Sequence, residues 1–357
     1  MPSAEIREPD VLNAPGARTQ VAKAVENLEA DRAFIIASNT VATTTPVVKD
    51  LEEALGDAHV GTHRGIGQHA PADAIETAAA HAKRASVDLL VSCGGGSVID
   101  ATKFVAWALA DQGAEPLLPH VAVPTTLSGA EFTLLAGRTV EGSQGRPVKT
   151  GMADPRIIPD VAILDPDACR FTPRWLWAAT GIRAVDHACE GITSPQATPE
   201  SDERCLRALE LFAEHLPESV ADAEELAAAT QCLEAGREAS AGINYAGSGA
   251  GLSHKLGKAL GSTWDVPHGV TSALTLPAVM AFEAKRQPER AQLIADALGA
   301  DTAEDGVLAL IEAVGIQREP LGSYEVKETD VPWIVEYAIG KRDPQVEKLV
   351  LGLFDPS

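Results

Sequence analysis

Val87-Asp88-Leu89-Leu90-Val91-Ser92-Cys93-Gly94-Gly95-Gly96-Ser97-Val98-Ile99-Asp100-Ala101-Thr102-Lys103-Phe104-Val105-Ala106-Trp107 is the stretch that decides the fold. Leu89 to Cys93 is a short, mostly apolar run bounded by turn residues, the pattern of a buried parallel strand. Gly94, Gly95 and Gly96 then allow backbone conformations and close approaches that a β-carbon would block. Ser97 is placed to cap the following helix, whose first turn carries Asp100. Strand, glycine turn and helix N-terminus are where an α/β protein receives a pyrophosphate, because free N–H groups and the helix dipole both face the anion. By itself a glycine triplet reads equally as a plain tight turn.

The surrounding chain has 357 residues, enough for two domains with substantial cores. No uninterrupted apolar run approaches the ~20 residues of a membrane span. Met1 to Asp10 is polar and acidic, without the basic-then-apolar layout of a signal peptide, so a cytoplasmic location is expected. Cys93, Cys169, Cys189, Cys205 and Cys232 form no Cys-x-x-Cys pair, which points away from zinc knuckles and disulfide frameworks. A net charge of −22 argues against nucleic acid as a partner. It also repels anionic cofactors and substrates at long range, so their site must supply local cations or helix N-termini.

Taken in order, residues 1–18 read as a loose or edge segment and Val21 to Leu28 as a short helix. Ala33 to Ala37 is a first buried strand, and Thr45-Pro46 starts a helix through Leu55 with Pro46 at its first position. Val60 sits in a second strand, Gly65 to Pro71 form a loop, and Ala72 to about Arg84 form an alanine-rich helix. His120 to Val123 is another strand, and residues 132–150 read as a hairpin around Glu141 to Gly145. A last strand, Val161 to Leu164, runs into Asp165-Pro166-Asp167. Alternating strands and helices of these lengths predict a parallel sheet. From Pro173 onward the periodicity is helical almost throughout. The expected architecture is therefore an α/β Rossmann-like N-terminal domain, residues 1–165, and an all-helical C-terminal domain, residues 166–357, with chemistry in the cleft between them.

Several motifs then fall in one order. They are Gly94-Gly95-Gly96-Ser97-x-x-Asp100, Pro124-Thr125-Thr126-x-x-Gly129-x-Glu131, Lys149, Pro159-Asp160 and Asp165-Pro166. Further on come Gly181 to Glu190, Gly251-Leu252-x-His254 and Pro267-His268-Gly269. Over residues 30–285 the chain resembles the iron-containing (group III) alcohol dehydrogenase family, and within it the maleylacetate reductase branch, chiefly through Lys149 to Pro159. The resemblance implies hydride transfer with a nicotinamide cofactor, and a homodimer as the usual assembly. It also implies that Gly95, Gly96 and Ser97 face the pyrophosphate, that Asp100 sits beside the cofactor, and that Thr125, Thr126 and Ser128 line the nicotinamide. Ser38 and Asn39 follow the first strand, where the adenosine ribose is read; no acid stands there, so NAD(H) and NADP(H) both stay open.

Metal-dependent members of that family hold a divalent ion with one Asp and three His, the Asp four residues before the first His. His187, His254 and His268 fall on the three His positions, but the residue four before His187 is Arg183. A guanidinium has no lone pair to donate and stays charged, so beside a divalent cation it is repulsive by several kcal/mol. Asp186 is a poor substitute, since adjacent helix residues point in different directions. Three His could still hold zinc with water in the fourth position. The favoured reading has no metal and gives Arg183 the electrophile's part, anchoring a carboxylate or polarising the carbonyl. The competing reading is that Arg183 turns away to pair with Asp186, Glu190 or another acid.

In a metal-free site His254 or His268 protonates the alkoxide; His254 is favoured, with His268 orienting substrate, and the sequence does not separate them. Lys149 and Lys255 are candidate second cations, and Trp264 a candidate wall of the substrate pocket. The expected function is a nicotinamide-dependent reductase of a small, carboxylate-bearing oxo acid. The rivals are a metal-dependent alcohol or hydroxy-acid dehydrogenase, and a non-redox lyase or cyclase on the same fold.

Overall fold

In the computed structural model, which describes residues 7–141, 147–247, 251–264, 266 and 268–356, the apolar runs of the N-terminal half pair as neighbouring parallel strands. The chain divides into two units, Met1–Thr172 and Pro173–Ser357. The first contains β1 (Asp10–Asn13), α1 (Val21–Asn27), β2 (Ala33–Ala37), α2 (Asn39–Thr44), α3 (Val47–Leu55), β3 (His59–Arg64), α4 (Ala72–Arg84) and β4 (Leu89–Gly94). It continues with α5 (Gly96–Leu109), β5 (His120–Pro124), β6 (Leu135–Glu141), β7 (Pro147–Ala153), β8 (Val161–Leu164) and α6 (Pro166–Cys169).

Six parallel strands form one sheet in the order β1-β8-β5-β4-β2-β3. β2, β4, β5 and β8 are buried along their whole length, as mostly apolar runs require when helices cover both faces, and the polar pair within them, Ser92 and His120, is hydrogen-bonded together at 2.8 Å. The two-residue period sorts them. Ile35, Val91 and Val121 join Val47 and Leu51 of α3 in one core, while Phe34, Ile36 and Leu90 join Ile75 of α4 and Val105 of α5 in the other. The chain leaves β2 outward to β3, then returns to β4 on the other side. The carboxyl ends of β2 and β4 therefore flank a topological switch point, the place where open α/β sheets bind ligands. β6 and β7 pair antiparallel, with Thr139 opposite Lys149. Of the turn expected at residues 141–145, 142–145 lie outside the described residues.

Three readings need correction. α2 was not anticipated; it buries no residue, so it has no apolar periodicity, and it is held by Ser38, whose Oγ accepts from Val41 N at 3.2 Å. Pro46 stands at the N-cap of α3 rather than inside it. Residues 166–172, expected in the second domain, belong to the first unit. Asp165 and Asp167 both bind Arg18 Nη1, at 2.8 and 2.7 Å, and Thr172 Oγ1 donates to Thr125 O at 2.6 Å.

The second unit is helical: α7 (Arg174–Ile192), α8 (Pro199–Ala221), α9 (Leu226–Tyr245), α10 (Leu252–Trp264), α11 (His268–Arg286), α12 (Pro288–Leu298), α13 (Ala303–Ala313), α14 (Val331–Ile339) and α15 (Pro344–Gly352). α7, α8 and α9 approach closely through small residues. A β-carbon on Gly191 or Gly242 would lie 2.5 or 2.4 Å from Cys205 Sγ. Among the described residues no helix is long and apolar enough to cross a membrane.

Candidate active site

Unit one brings the glycine turn against the segment that follows β5. Gly94 has φ +150°, and a β-carbon there would lie 2.8 Å from Val98 Cγ2, so the position excludes other residues on both counts. A β-carbon on Gly95 would meet Thr126 Cγ2 at 3.1 Å, and one on Gly96 would meet Ser128 Oγ at 2.8 Å. Thr125 N donates to Gly94 O at 3.1 Å and Thr126 Oγ1 to Ser128 Oγ at 3.3 Å. Gly95 is the N-cap of α5 and offers no side-chain cap; its carbonyl accepts from Val98 N at 2.9 Å and Ile99 N at 3.3 Å, which leaves Gly96 N and Ser97 N, at the start of a 14-residue helix, without intrahelical acceptors.

Ser97 does not cap the helix, as the sequence had implied. It lies inside the first turn, and its Oγ accepts from His69 N at 3.0 Å, tying down the loop after β3. Asp100 lies beyond the first turn and spends Oδ2 on Gly137 N at 2.9 Å; burial, opposed by Lys103, Gly137 and Lys149, lifts its pKa to about 6. Asn39 is exposed at the start of α2, and Lys149 lies on β7 in this unit.

In unit two, the helical period of α7 sets Arg183 and His187 on one stripe and Asp186 and Glu190 on the neighbouring one. α10 brings His254 to the acids. His254 Nδ1 lies 2.7 Å from Glu190 Oε2 and 3.3 Å from Asp186 Oδ2, ion-pair contacts off the ring's N–H direction. Glu190 also accepts from the backbone, His254 N to Oε1 at 3.0 Å and Gly251 N to Oε2 at 2.7 Å. Asp186 Oδ2 accepts from Ser253 Oγ at 2.9 Å and Ser272 Oγ at 2.7 Å, and Ser253 Oγ meets Thr275 Oγ1 at 2.8 Å. Asp186, Glu190 and His254 are all buried.

The electrostatics follow from this packing. Burial and the charge of Arg183 oppose protonation of His254, but Asp186 and Glu190 outweigh them and raise its pKa to about 9. Burial would raise Asp186, yet His254, Arg183 and Ser272 hold it below the usual carboxylate range. His187 stacks on His254, ring centroids 4.6 Å apart and planes 19° apart. Burial and the charges of His254 and Arg183 keep His187 neutral, well below its ordinary pKa.

Arg183 is half-buried and does not ion-pair with Asp186 or Glu190 among the described residues; its Nη1 donates to Ser272 Oγ at 3.3 Å, and its other N–H groups have no acceptor there. The side chain of His268 lies outside the described residues. Lys255 is exposed, and Trp264 packs edge-on against Trp333 at 5.7 Å.

Residues 9–166 match the family described as iron-containing alcohol dehydrogenase, and residues 177–347 match its C-terminal counterpart, Fe-containing alcohol dehydrogenase family, C-terminal. The chain is 30% identical over 349 residues to an NAD-dependent methanol dehydrogenase of Bacillus methanolicus, covering 90% of each protein. It is 32% identical over 298 residues to maleylacetate reductase 2 of Cupriavidus pinatubonensis, covering 81% of this chain and 76% of that one. A crystal structure of a putative alcohol dehydrogenase from Ralstonia eutropha JMP134 superposes with a TM-score of 0.87 at 26% identity, over 98% of this chain and 97% of the other. The chain belongs to the iron-containing alcohol dehydrogenase family. It is an oxidoreductase with the family's fold, a parallel-sheet N-terminal unit followed by a helical one.

Two of the histidines expected in the site, His187 and His254, come together with Arg183. Asp186 and His187, adjacent on α7, both reach His254 on α10: Asp186 Oδ2 lies 3.3 Å from its Nδ1 and the His187 ring stacks on it. Sequence reasoning missed Glu190, Ser253, Ser272 and Thr275 as parts of the site. The available signal was Asp186 and Glu190, two acids one turn apart among Ala184, Val185, Ala188, Cys189 and Ile192, because buried acids must find a base. Asp186, Glu190 and His254 each bring one ligand atom within 4.8 Å of the others, the spacing of a metal site.

Proposed function

We propose that this family member is an NAD(P)H-dependent reductase of a small oxo acid, similar in reaction to maleylacetate reductase, and that it works without a metal ion. The observation that carries the reading is Arg183. In a chain of net charge −22, a half-buried guanidinium stands beside an acid–histidine cluster with most of its N–H groups unspent. Such a group suits a substrate carboxylate. The maleylacetate reductase relative supports the same substrate class.

The glycine turn fits a dinucleotide, since its cradle is one that β-carbons on Gly95 or Gly96 would fill. Gly95, Gly96 and Ser97 are assigned to the pyrophosphate, Asp100 to the cofactor's flank, Thr125, Thr126 and Ser128 to the nicotinamide, and Asn39 to the adenosine end. The bound cofactor supplies hydride to the carbonyl carbon. Arg183 holds the carboxylate and steadies the charge that gathers on the carbonyl oxygen. His254, charged at neutral pH and without a protein acceptor at Nε2 among the described residues, delivers the proton that completes the alcohol. Glu190 and Asp186 orient the ring and hold its charge. His268 is assigned to orienting substrate, and Lys149 to a second cation.

The residues present suit the iron of the family name poorly. Ring planes 19° apart at 4.6 Å run the in-plane lone pairs of His187 and His254 side by side, so one ion cannot lie in both planes. Asp186 Oδ2 and both Glu190 oxygens already receive hydroxyl, N–H or imidazole contacts. With Arg183 alongside, this set fits a proton on His254 better than a divalent ion. The second reading, a metal-dependent dehydrogenase, is favoured by the 4.8 Å grouping of Asp186, Glu190 and His254.

The test is cofactor oxidation with maleylacetate, other oxo acids and neutral aldehydes, using NADH and NADPH in parallel. Turnover confined to carboxylate-bearing substrates is expected. Preference for neutral aldehydes would overturn the substrate class, and binding of cofactor without oxidation would overturn the reductase.

A further inference from the structure

Lys103 is a buried charge to which the cofactor reading gives no task. Lys103 lies on α5, about two turns beyond the glycine turn, and is 0% exposed. Its Nζ donates to three backbone carbonyls, Ala130 O at 2.6 Å, Thr133 O at 2.7 Å and Leu135 O at 2.9 Å, with Thr133 Oγ1 at 3.3 Å. No carboxylate lies at ion-pair distance among the described residues; Asp100 and Glu131 act on it from further away. Burying an ammonium is costly unless its hydrogens are all received, and here three carbonyls receive them.

What the ammonium grips is specific. Ala130 to Leu135 continues directly from Thr125 to Ser128, while the helix carrying Lys103 begins at the glycine turn. A second tie runs in parallel from Gly137 N to Asp100 Oδ2 at 2.9 Å. The two segments already touch, since Gly95 and Gly96 have no room for a β-carbon against Thr126 and Ser128. Ala130–Phe132 is a single 3-10 turn and Leu135 opens β6, so the one ammonium joins the turn, the link after it and the start of the strand.

We propose that Lys103 is a positioning residue for hydride transfer: it fixes Thr125 to Ser128, the nicotinamide side, against the pyrophosphate turn, so that both halves of the dinucleotide meet one rigid site. This rests on the cofactor reading above. ADP-ribose separates it from a general structural role, because that ligand carries the pyrophosphate half and no nicotinamide.

The experiment compares ADP-ribose and NADH binding by titration calorimetry, together with kcat, in the wild type and in Lys103→Met. The expected result is ADP-ribose affinity within about twofold of wild type, NADH affinity down about tenfold and kcat down about a hundredfold, as misplacement of one reacting half requires. Equal losses for both ligands, or no loss of kcat, would overturn it. If Lys103→Met does not fold, Lys103→Gln, which keeps two N–H donors for the carbonyls, carries the same comparison. In Lys103→Ala, added ethylammonium should restore kcat in part; rescue of folding with no gain in kcat counts against the proposal. Wild-type protein that binds neither ligand overturns the cofactor reading itself, and this inference with it.

Discussion

Replacing Arg183 by Met removes the guanidinium and keeps an unbranched apolar side chain. The structural loss is small, because the one hydrogen bond given up is the 3.3 Å contact to Ser272 Oγ. Fold stability should therefore change by no more than about 1 kcal/mol. The functional loss is large if Arg183 holds a carboxylate. Two charge-assisted hydrogen bonds at about 1.5–3 kcal/mol each come to about 3–6 kcal/mol, or about 10²- to 10⁴-fold in kcat/KM. A substrate that carries the same carbonyl and lacks the carboxylate should lose less than about tenfold. The assay is kcat/KM for an oxo acid and its neutral aldehyde analogue in both proteins, with unfolding in urea to check the fold. Equal losses on the two substrates would refute the anchoring role, and so would retention of full activity on the oxo acid.

Glu190→Gln should cost about 2–4 kcal/mol in urea unfolding, since an amide cannot accept from both His254 N and Gly251 N and leaves the imidazolium short of a partner; a change below about 0.5 kcal/mol would contradict the cluster. His120, bonded through Nε2 to Ser92 Oγ at 2.8 Å, has its pKa pressed down to about 3 by burial and the charge of Lys103. The unfolded chain takes up that proton near pH 6.5, so between about 6.5 and 3 the unfolded state binds more protons and stability drops as the pH is lowered, by about 1.4 kcal/mol per unit. His120→Gln should remove that slope, and parallel pH profiles for the two proteins would exclude it. Gly96→Ala places a β-carbon 2.8 Å from Ser128 Oγ and should weaken NADH binding about 5- to 100-fold, read by fluorescence titration; unchanged affinity would show that the cradle is not the cofactor's.

The sheet could be read from the sequence because its central strands are mostly apolar runs closed by turn residues, a pattern with one physical solution. Elements held by a single polar contact could not. α2 buries nothing and depends on the Ser38 cap; β1, by contrast, is the edge strand that the loose or edge reading of residues 1–18 allows, paired along its length with β8 alone. The site divides the same way. Arg183 and His187 are one turn apart, so their shared stripe follows from helix geometry. The contact between Glu190 and His254 spans 64 residues, and that between His69 N and Ser97 Oγ spans 28; no local rule reaches either. Asp186 marks the limit of helix reasoning. Adjacent residues differ in direction along one helix, yet Asp186 and His187 both reach His254, which comes from another helix.

The most direct test of the central claim is kcat/KM for the oxo acid on protein stripped with chelator, with metal content verified, before and after addition of Zn²⁺ or Fe²⁺. The account predicts full turnover in the stripped protein and no gain on adding metal. Activity that appears only with the ion would contradict it and would make Asp186, Glu190 and His254 the ligands of a metal-dependent dehydrogenase.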